Sequence, residues 1–255
     1  MANILQAKCV LVTGASSGIG RALAIAIHDL ETKPTVIVSG RREERLKELA
    51  KLSERIKPVQ FDMASGRESI KQFVGELVGS YPELDAVVLS AGVQHMFDFK
   101  QPENIDLDLL EAEFNINYLS IVTLIKFIVP HFLRLSAQGL PSFIIPITSA
   151  LAILPGSTVP DYCATKAALH SFCLALHVQF QGTNVHVTEI LPPLVESELH
   201  DHQGITENLK KFWMPLDAFV TETMEKLRKG GPQVPIGAAA ERWEQFEKGK
   251  LEIAF

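Results

Sequence analysis

The chain has 255 residues, 47% of them hydrophobic, and is long enough to bury a large core. Its 24 Lys and Arg against 30 Asp and Glu give a net charge of −6, which leaves no electrostatic footprint for nucleic acid or an anionic membrane surface. The three cysteines, Cys9, Cys163 and Cys173, each lie in an apolar segment and suit reduced packing thiols better than a disulfide framework. The opening MANILQAKCVLVTG lacks a long apolar core with a small-residue cleavage site, so no signal peptide is expected and a cytoplasmic location is the default.

The first apolar run, CVLVT at 9–13, leads into TGASSGIG at 13–20 and then into a helical pattern from Gly18 to Leu30. A turn between strand and helix is the context a phosphate cradle needs. Gly14 can take a tight-turn backbone, Gly18 lets the main chain approach a pyrophosphate, and Gly20 permits close packing of helix on strand. Amides at the helix start then face the anion. The second run, TVIVS at 35–39, ends in Ser39-Gly40-Arg41-Arg42, with no acid where dinucleotide folds usually carry one for the ribose hydroxyls. A guanidinium suits a 2′-phosphate, which favours NADP(H) over NAD. The bland alternative makes Arg41 and Arg42 solvated members of the charged helical stretch at 41–56.

DAVVLS at 85–90, FIIPITS at 143–149 and VHVTEIL at 185–191 complete a set of continuous apolar strands separated by helical segments. That alternation predicts an α/β fold: a doubly wound Rossmann domain with a single parallel sheet of about seven strands and helices on both faces. Pro146, in the middle of a central strand, removes a ladder donor and predicts a bulge or a missing pairing. LSIVTLIKFIVPHFLRL at 119–135 is the most membrane-like run, but Lys126, Pro130, His131 and Arg134 interrupt it, so it reads as a buried or partner-facing helix.

In PDYCATKAALH at 160–170, Tyr162 and Lys166 lie four apart and share a helix face. After Pro192 the pattern weakens into a polar stretch at 196–211 and then FWMPLDAF at 212–219, which predicts a substrate lid over about 196–230 within one domain, 1–255. Val93, Met96, Leu151, Ile153 and Leu154 follow the sheet's carboxyl edge, and Phe212, Trp213 and Met214 can close over them, giving a mainly apolar cleft. His200-Asp201-His202 reads as a solvated group in the lid, and no metal site is expected.

Taken together, the glycine turn, Tyr162 and Lys166 resemble the classical short-chain dehydrogenase/reductase family. Ser149 stands thirteen residues before the tyrosine, as that family's serine does. Asn117 of FNINYLS matches its helical asparagine, with Asn115 the poorer match. Asp62 of FDM resembles the acid that contacts adenine, with Met63 beside it, and Ser90-Ala91-Gly92 occupies the place of the usual Asn-Ala-Gly. The resemblance covers residues 8 to about 197. It implies cofactor contacts from Ser16, Ser17 and Ile19 of the turn and from Pro192, Val195 and Ser197 near the nicotinamide. Pro192-Pro193 departs from the usual Pro-Gly, Ser90 from the usual asparagine, and the C-terminal stretch lacks the glycine-rich ending of many members.

The resemblance further implies an oxidoreductase moving a hydride between NADP(H) and a moderately hydrophobic carbonyl or secondary alcohol, as a homodimer or homotetramer. Tyr162 would be the acid/base, Lys166 its tuner and a ligand of the nicotinamide ribose, Ser149 the polariser and Asn117 the holder of a relay water. A phenol with a pKa of about 10 needs such tuning, since it holds its proton too tightly near neutrality, and a nearby cation favours the phenolate. Two other readings fit the same fold, a non-enzymatic sensor of cofactor state and an isomerase or epimerase of nucleotide sugars.

Overall fold

A computed structural model describes residues 2–204 and 209–254 of the chain. Six strands form one parallel sheet in the order β3-β2-β1-β4-β5-β6: β1 (Cys9–Thr13), β2 (Thr35–Gly40), β3 (Ile56–Gln60), β4 (Ala86–Leu89), β5 (Ser142–Pro146) and β6 (Val185–Val187). Two short strands, β7 (Glu189–Leu191) and β8 (Gln233–Pro235), pair with each other as a separate parallel ribbon. The strand order reverses between β1 and β4, the switch point at which open α/β sheets bind their ligands.

The expected single sheet of about seven strands is thus divided into six and two, and Pro146 accounts for the division. Register pairs Ser142 with Val185 and Ile144 with Val187, and the amides on the β6 side belong to even-numbered residues: Ser142 N donates to Asn184 O and Thr148 N to Ile190 O. Position 146 would supply the donor between them, and proline has none. VHVTEIL therefore breaks at Thr188, and its second half turns to β8, with Glu189 N on Pro232 O. β3 escaped the apolar reading because it is an edge strand with alternating exposure. Its Pro58 is tolerated there, since Phe61 N reaches Gly40 O and the even positions face outward.

Successive strand residues point to opposite faces, so each strand feeds two cores. On one face Val10, Val12, Val36, Val38 and Val88 pack against α1 (Gly18–His28), α2 (Glu43–Ala50) and α7 (Leu216–Lys229). On the other, Leu11, Ile37, Val87 and Ile144 pack against α3 (Arg67–Ser80), α5 (Ser120–Ala137) and α6 (Pro160–Gln179). α4 (Leu107–Phe114) runs into α5 through a π-helical turn, Asn115–Leu119, so that Leu107–Ala137 is one rod. The rod is long and apolar enough to cross a membrane by composition, yet Ile121, Leu124, Ile128 and Phe132 spend that apolarity on the sheet, each 1% exposed or less. All three cysteines are free and buried. The chain ends in α8 (Ala238–Phe246) and α9 (Lys250–Ala254).

The stretch expected to cover the cleft has two characters. α7 is core: Phe219 is fully buried and Met224 and Leu227 nearly so. The rest begins with a 3-10 turn, Glu198–Gln203, and returns at Met214, which bridges to Val195. Phe132 lies at the centre of the second core, so Phe132→Ala should cost about 3–5 kcal/mol in a denaturant titration, the usual penalty for emptying a buried phenylalanine site.

Candidate active site

The carboxyl ends of β1, β2, β4 and β5 open into a cleft of about 1010 Å³, lined by the glycine turn, Arg41, Arg42, Asp62, Ser90, Ala91, Gly92, Ser149, Tyr162 and Lys166. At one end lies the turn between β1 and α1. Gly14 has φ +67°, and a Cβ there would meet the backbone N of Ala91 at 2.8 Å. A Cβ on Gly20 would meet the carbonyl O of Gly14 at 2.5 Å. The turn is therefore a cradle only glycine can build, with main chain rather than side chains facing the cleft beside Ser16, Ser17, Gly18 and Ile19. It fits the pyrophosphate of a dinucleotide, offered to the amides at the start of α1.

The tip of β2 carries Arg41 and Arg42 into the same cleft. Arg41 makes no ion pair among the described residues. Arg42 donates from Nε and Nη2 to Ser16 Oγ at 3.2 Å each, from Nη2 to Ser17 Oγ, and from Nη1 to Glu198 Oε2 at 2.7 Å. Asp62 follows β3, its carboxylate turned onto the amide of Ala64 at 2.9 Å, with Met63 buried beside it. After β4, the amides of Ser90 and Ala91 both donate to Thr13 Oγ1, at 3.1 and 3.3 Å, which holds the Ser90-Ala91-Gly92 bend against the glycine turn. Thr13 is the anchor the sequence reading passed over, although it opens the glycine motif.

At the other end Ser149, Tyr162 and Lys166 converge. Ser149 caps a short turn, accepting from Leu151 N at 3.1 Å. Tyr162 is 7% and Lys166 5% exposed, and the ammonium lies 5.5 Å from the centre of the phenol ring. Lys166 Nζ donates to Ile147 O at 2.9 Å. Burial pulls its pKa down to about 8, against the charges of Cys173, Glu113 and Glu189, which push it up. Burial likewise pushes the Tyr162 phenol up, Ser149 works to lower it, and Glu113 adds to the rise. From the chain's own groups, then, the phenol is held protonated, contrary to the simple expectation of tuning by the lysine alone.

Asn117 stands behind the wall, fully buried in the π-helical turn. Its Oδ1 accepts from Val93 N at 2.9 Å, while Nδ2 donates to Val93 O at 2.8 Å and to Thr165 Oγ1 at 3.2 Å. The side chain is thus a clamp joining the loop after β4 to α6. Beyond Tyr162, Pro192, Val195 and Ser197 line the cleft, and Ala150 N donates to Pro192 O at 2.8 Å. Of the apolar residues expected to hold substrate, Val93, Leu151 and Phe212 line the cleft, joined by Val159, Leu199 and Leu209, whereas Met96, Ile153, Leu154, Trp213 and Met214 do not. His200, expected to be solvated, is buried at 6%; Asp201 is exposed, and the side chain of His202 lies outside the described residues. The described residues contain no cluster suited to a metal ion.

Two buried polar groups were not anticipated. Glu113, fully buried on α4, accepts from or donates to His95 Nδ1 at 2.6 Å; burial, then the charge of Asp161, raises its pKa to about 8. His170, one turn beyond Lys166, lies between two carboxylates: Nδ1 meets Glu189 at 2.8 Å and Nε2 meets Glu247 at 3.0 Å. Thr148 Oγ1 also donates to Glu189, at 2.6 Å, and Lys250 pairs with Glu247. Although burial works to lower it, the two carboxylates hold the His170 imidazole above its ordinary value. Only the chain's folding brings these residues together, so no local spacing announces them.

Gly20→Ala should open the glycine turn, destabilise the fold by about 1–3 kcal/mol as an overpacked core site does, and weaken dinucleotide binding in a fluorescence titration. For His170, whose folded pKa lies above 6.5, the contribution to stability is complete below about 6.5 and is lost as pH rises through the raised value. Thermal unfolding across that window should show a decline in Tm that shrinks in His170→Gln.

Known proteins share this arrangement. Residues 8–208 match the sequence profile of the family described as short chain dehydrogenase. An uncharacterized oxidoreductase of Bacillus subtilis, DltE, is 35% identical over 228 residues, covering 88% of this chain and 86% of its own. The glucose and ribitol dehydrogenase homolog 2 of Arabidopsis thaliana is 31% identical over 219 residues, with 82% and 72% covered. Among solved structures, the closed form of a serine dehydrogenase complexed with NADP+ superposes with a TM-score of 0.73 at 26% identity, covering 84% of this chain and 86% of that one. A short-chain dehydrogenase from Streptomyces avermitilis shares the fold with a TM-score of 0.79, covering 94% and 92%, at 23% identity. With its glycine turn, its Ser149, Tyr162 and Lys166 and these relatives, the chain belongs to the short-chain dehydrogenase family of oxidoreductases.

Proposed function

We propose that the protein transfers a hydride between NADP(H) and a carbonyl or secondary alcohol of moderately hydrophobic character, with ketone reduction as the working direction. The observation that carries the reading is that Ser149, Tyr162 and Lys166 line one cleft together with the glycine turn and Arg41. A sensor of cofactor state has no chemical use for the first three. When bound, the cofactor supplies the hydride and, once oxidised, a positive ring. The Ser149 hydroxyl donates to the substrate oxygen, and Tyr162 gives its proton to the alkoxide that develops there. The phenolate left behind is stabilised by the Lys166 ammonium, fixed by Ile147 O. Asn117 holds Val93, and with it the cleft wall, in register with α6.

For the cofactor, Arg41 and Arg42 offer guanidinium donors to a 2′-phosphate, and β2 ends without an acid of its own to accept from a ribose hydroxyl. The serine dehydrogenase with NADP+ supports the same choice. Apolar walls at Val93, Leu151, Val159 and Leu199 support a hydrophobic substrate. The same reading has the chain acting in the cytoplasm as a homodimer or homotetramer. Leu119 and Leu133, 48% and 41% exposed on the long rod, belong to an apolar face such pairing would cover.

NADPH oxidation followed across a panel of ketones tests the reaction. Tyr162→Phe should lower kcat by about 10²–10⁴-fold, the span that positioned acid/base catalysis contributes, with cofactor binding retained. Unchanged turnover in that variant would end the assignment. Arg41→Ala should weaken NADPH about 10-fold while leaving NADH within about twofold, as loss of a charge-assisted contact to a phosphate requires.

A further inference from the structure

We propose that Glu198 is an internal competitor for the cofactor's 2′-phosphate, a carboxylate latch that lowers the affinity for NADPH without affecting NADH; this rests on the NADP reading above. Glu198 opens the turn that follows Ser197, and it reaches across the cleft to the β2 tip from far along the chain. Its Oε2 lies 2.7 Å from Arg42 Nη1, and its Oε1 and Oε2 lie 2.5 and 2.8 Å from Arg45 Nη1. Although its partial burial works in the other direction, the two guanidinium groups hold the carboxyl below its ordinary range.

The location gives this ion pair its meaning. Ser16, Ser17, Arg41, Arg42 and Glu198 all line the cleft, and Ser16 packs against Gly40, where a Cβ would meet its Oγ at 3.2 Å. Arg42 divides its donors between the hydroxyls of the glycine turn and Glu198, so the fork that would grip a phosphate already grips an anion of the same charge sign. Carboxylate and phosphate are alternative partners for one guanidinium fork, and two anions on it repel. A 2′-phosphate must therefore displace Glu198 or share Arg42 at a cost. NADH, with a hydroxyl at that position, makes no such demand.

The size of the effect follows from exposure. Arg42, Arg45 and Glu198 have side chains 42–44% exposed, which makes each contact weak and salt-screened, but one carboxylate held by two guanidinium groups is a small network rather than a single pair. If the latch is engaged about four-fifths of the time, the apparent Kd for NADPH is raised about fivefold over that of the unlatched state.

Direct titration of NADPH and NADH into the full chain and into Glu198→Gln, followed by nicotinamide fluorescence, tests the latch. Glutamine keeps the shape and removes the charge. The expected result is NADPH binding about 3–10-fold tighter in the variant, with NADH changed by less than about twofold, and the gain shrinking at high salt. Arg45→Gln, which removes one anchor of Glu198 and leaves Arg42 in place, should move NADPH in the same direction by less. Equal tightening of both cofactors would mean that Glu198 only repels the shared pyrophosphate and would overturn the latch. An unchanged NADPH affinity, in a protein that does prefer NADPH, would overturn the latch and leave the cofactor reading standing. A wild-type preference for NADH would remove both.

Discussion

A lysine with 5% of its surface exposed is tolerated only where its ammonium donors are satisfied, and that constraint on Lys166 organises the Tyr162 end of the cleft. The acceptor is Ile147 O. By the register of β4 and β5, the next ladder donor to that oxygen would be the amide of Ala91, but Thr13 Oγ1 takes the amides of both Ser90 and Ala91. One threonine at the end of β1 thus ends the ladder early and leaves a carbonyl for the lysine. The same bend delivers Gly92 beside Asn117, where a Cβ would lie 3.2 Å from Oδ1 and 3.8 Å from Lys166 Nζ. Glycine turn, β4 bend, π-helical turn and catalytic helix are therefore locked together through a few polar atoms rather than through apolar packing alone.

The two ends of the cleft treat charge differently because they differ in access to water. At the β2 tip, guanidinium groups are partly exposed, their contacts with Glu198 are screened, and anions can exchange. At the other end the amine and phenol are desolvated, and both are moved toward their neutral forms. Glu113 and Glu189 counter this for the lysine, and neither is more than 1% exposed. For the phenol, Glu113 acts in the unhelpful direction. Among the chain's own groups only Ser149 works to lower the phenol, so its protonated form is the resting preference of the chain.

Much of this was legible in the sequence, and the failures have physical causes. Continuous apolar strands and the glycine turn gave the doubly wound fold, and Pro146 gave a break whose place the register now explains. β3 was hidden because an edge strand needs no continuous apolar run. The stretch read as a lid contains the core helix α7, whose Phe219, Met224 and Leu227 face inward beside charged residues, and burial of that face is invisible without the α1 surface it meets. Tyr162 and Lys166 stand out by their spacing, and Ser149 and Asn117 by the family resemblance, but the double clamp of Asn117 on Val93 has no sequence signal, since its partner lies 24 residues away. Glu113, Glu198 and the His170 cluster carry no motif, because each is defined by what folds against it.

The His170 cluster also decides which walls of the cleft are permanent. Glu189 is bound to Thr148, the neighbour of Ser149, and His170 follows Lys166 by one turn, so the cluster sits beneath both catalytic positions. Glu247 extends it to the end of α8, a helix whose Ala239 packs on Ala150 and whose Ala238 and Arg242 line the cleft. That wall is held by buried charge pairs whose rupture would strand carboxylates out of water. On the facing side, Glu198 is tied to exposed arginines, Leu199 packs on Val159, Tyr162 and Cys163, and Met214 bridges to Val195, with Phe212 78% exposed. The wall beside Ser149 and Lys166 is thus held by buried charge, whereas the described residues opposite meet the cleft through apolar packing and screened ion pairs.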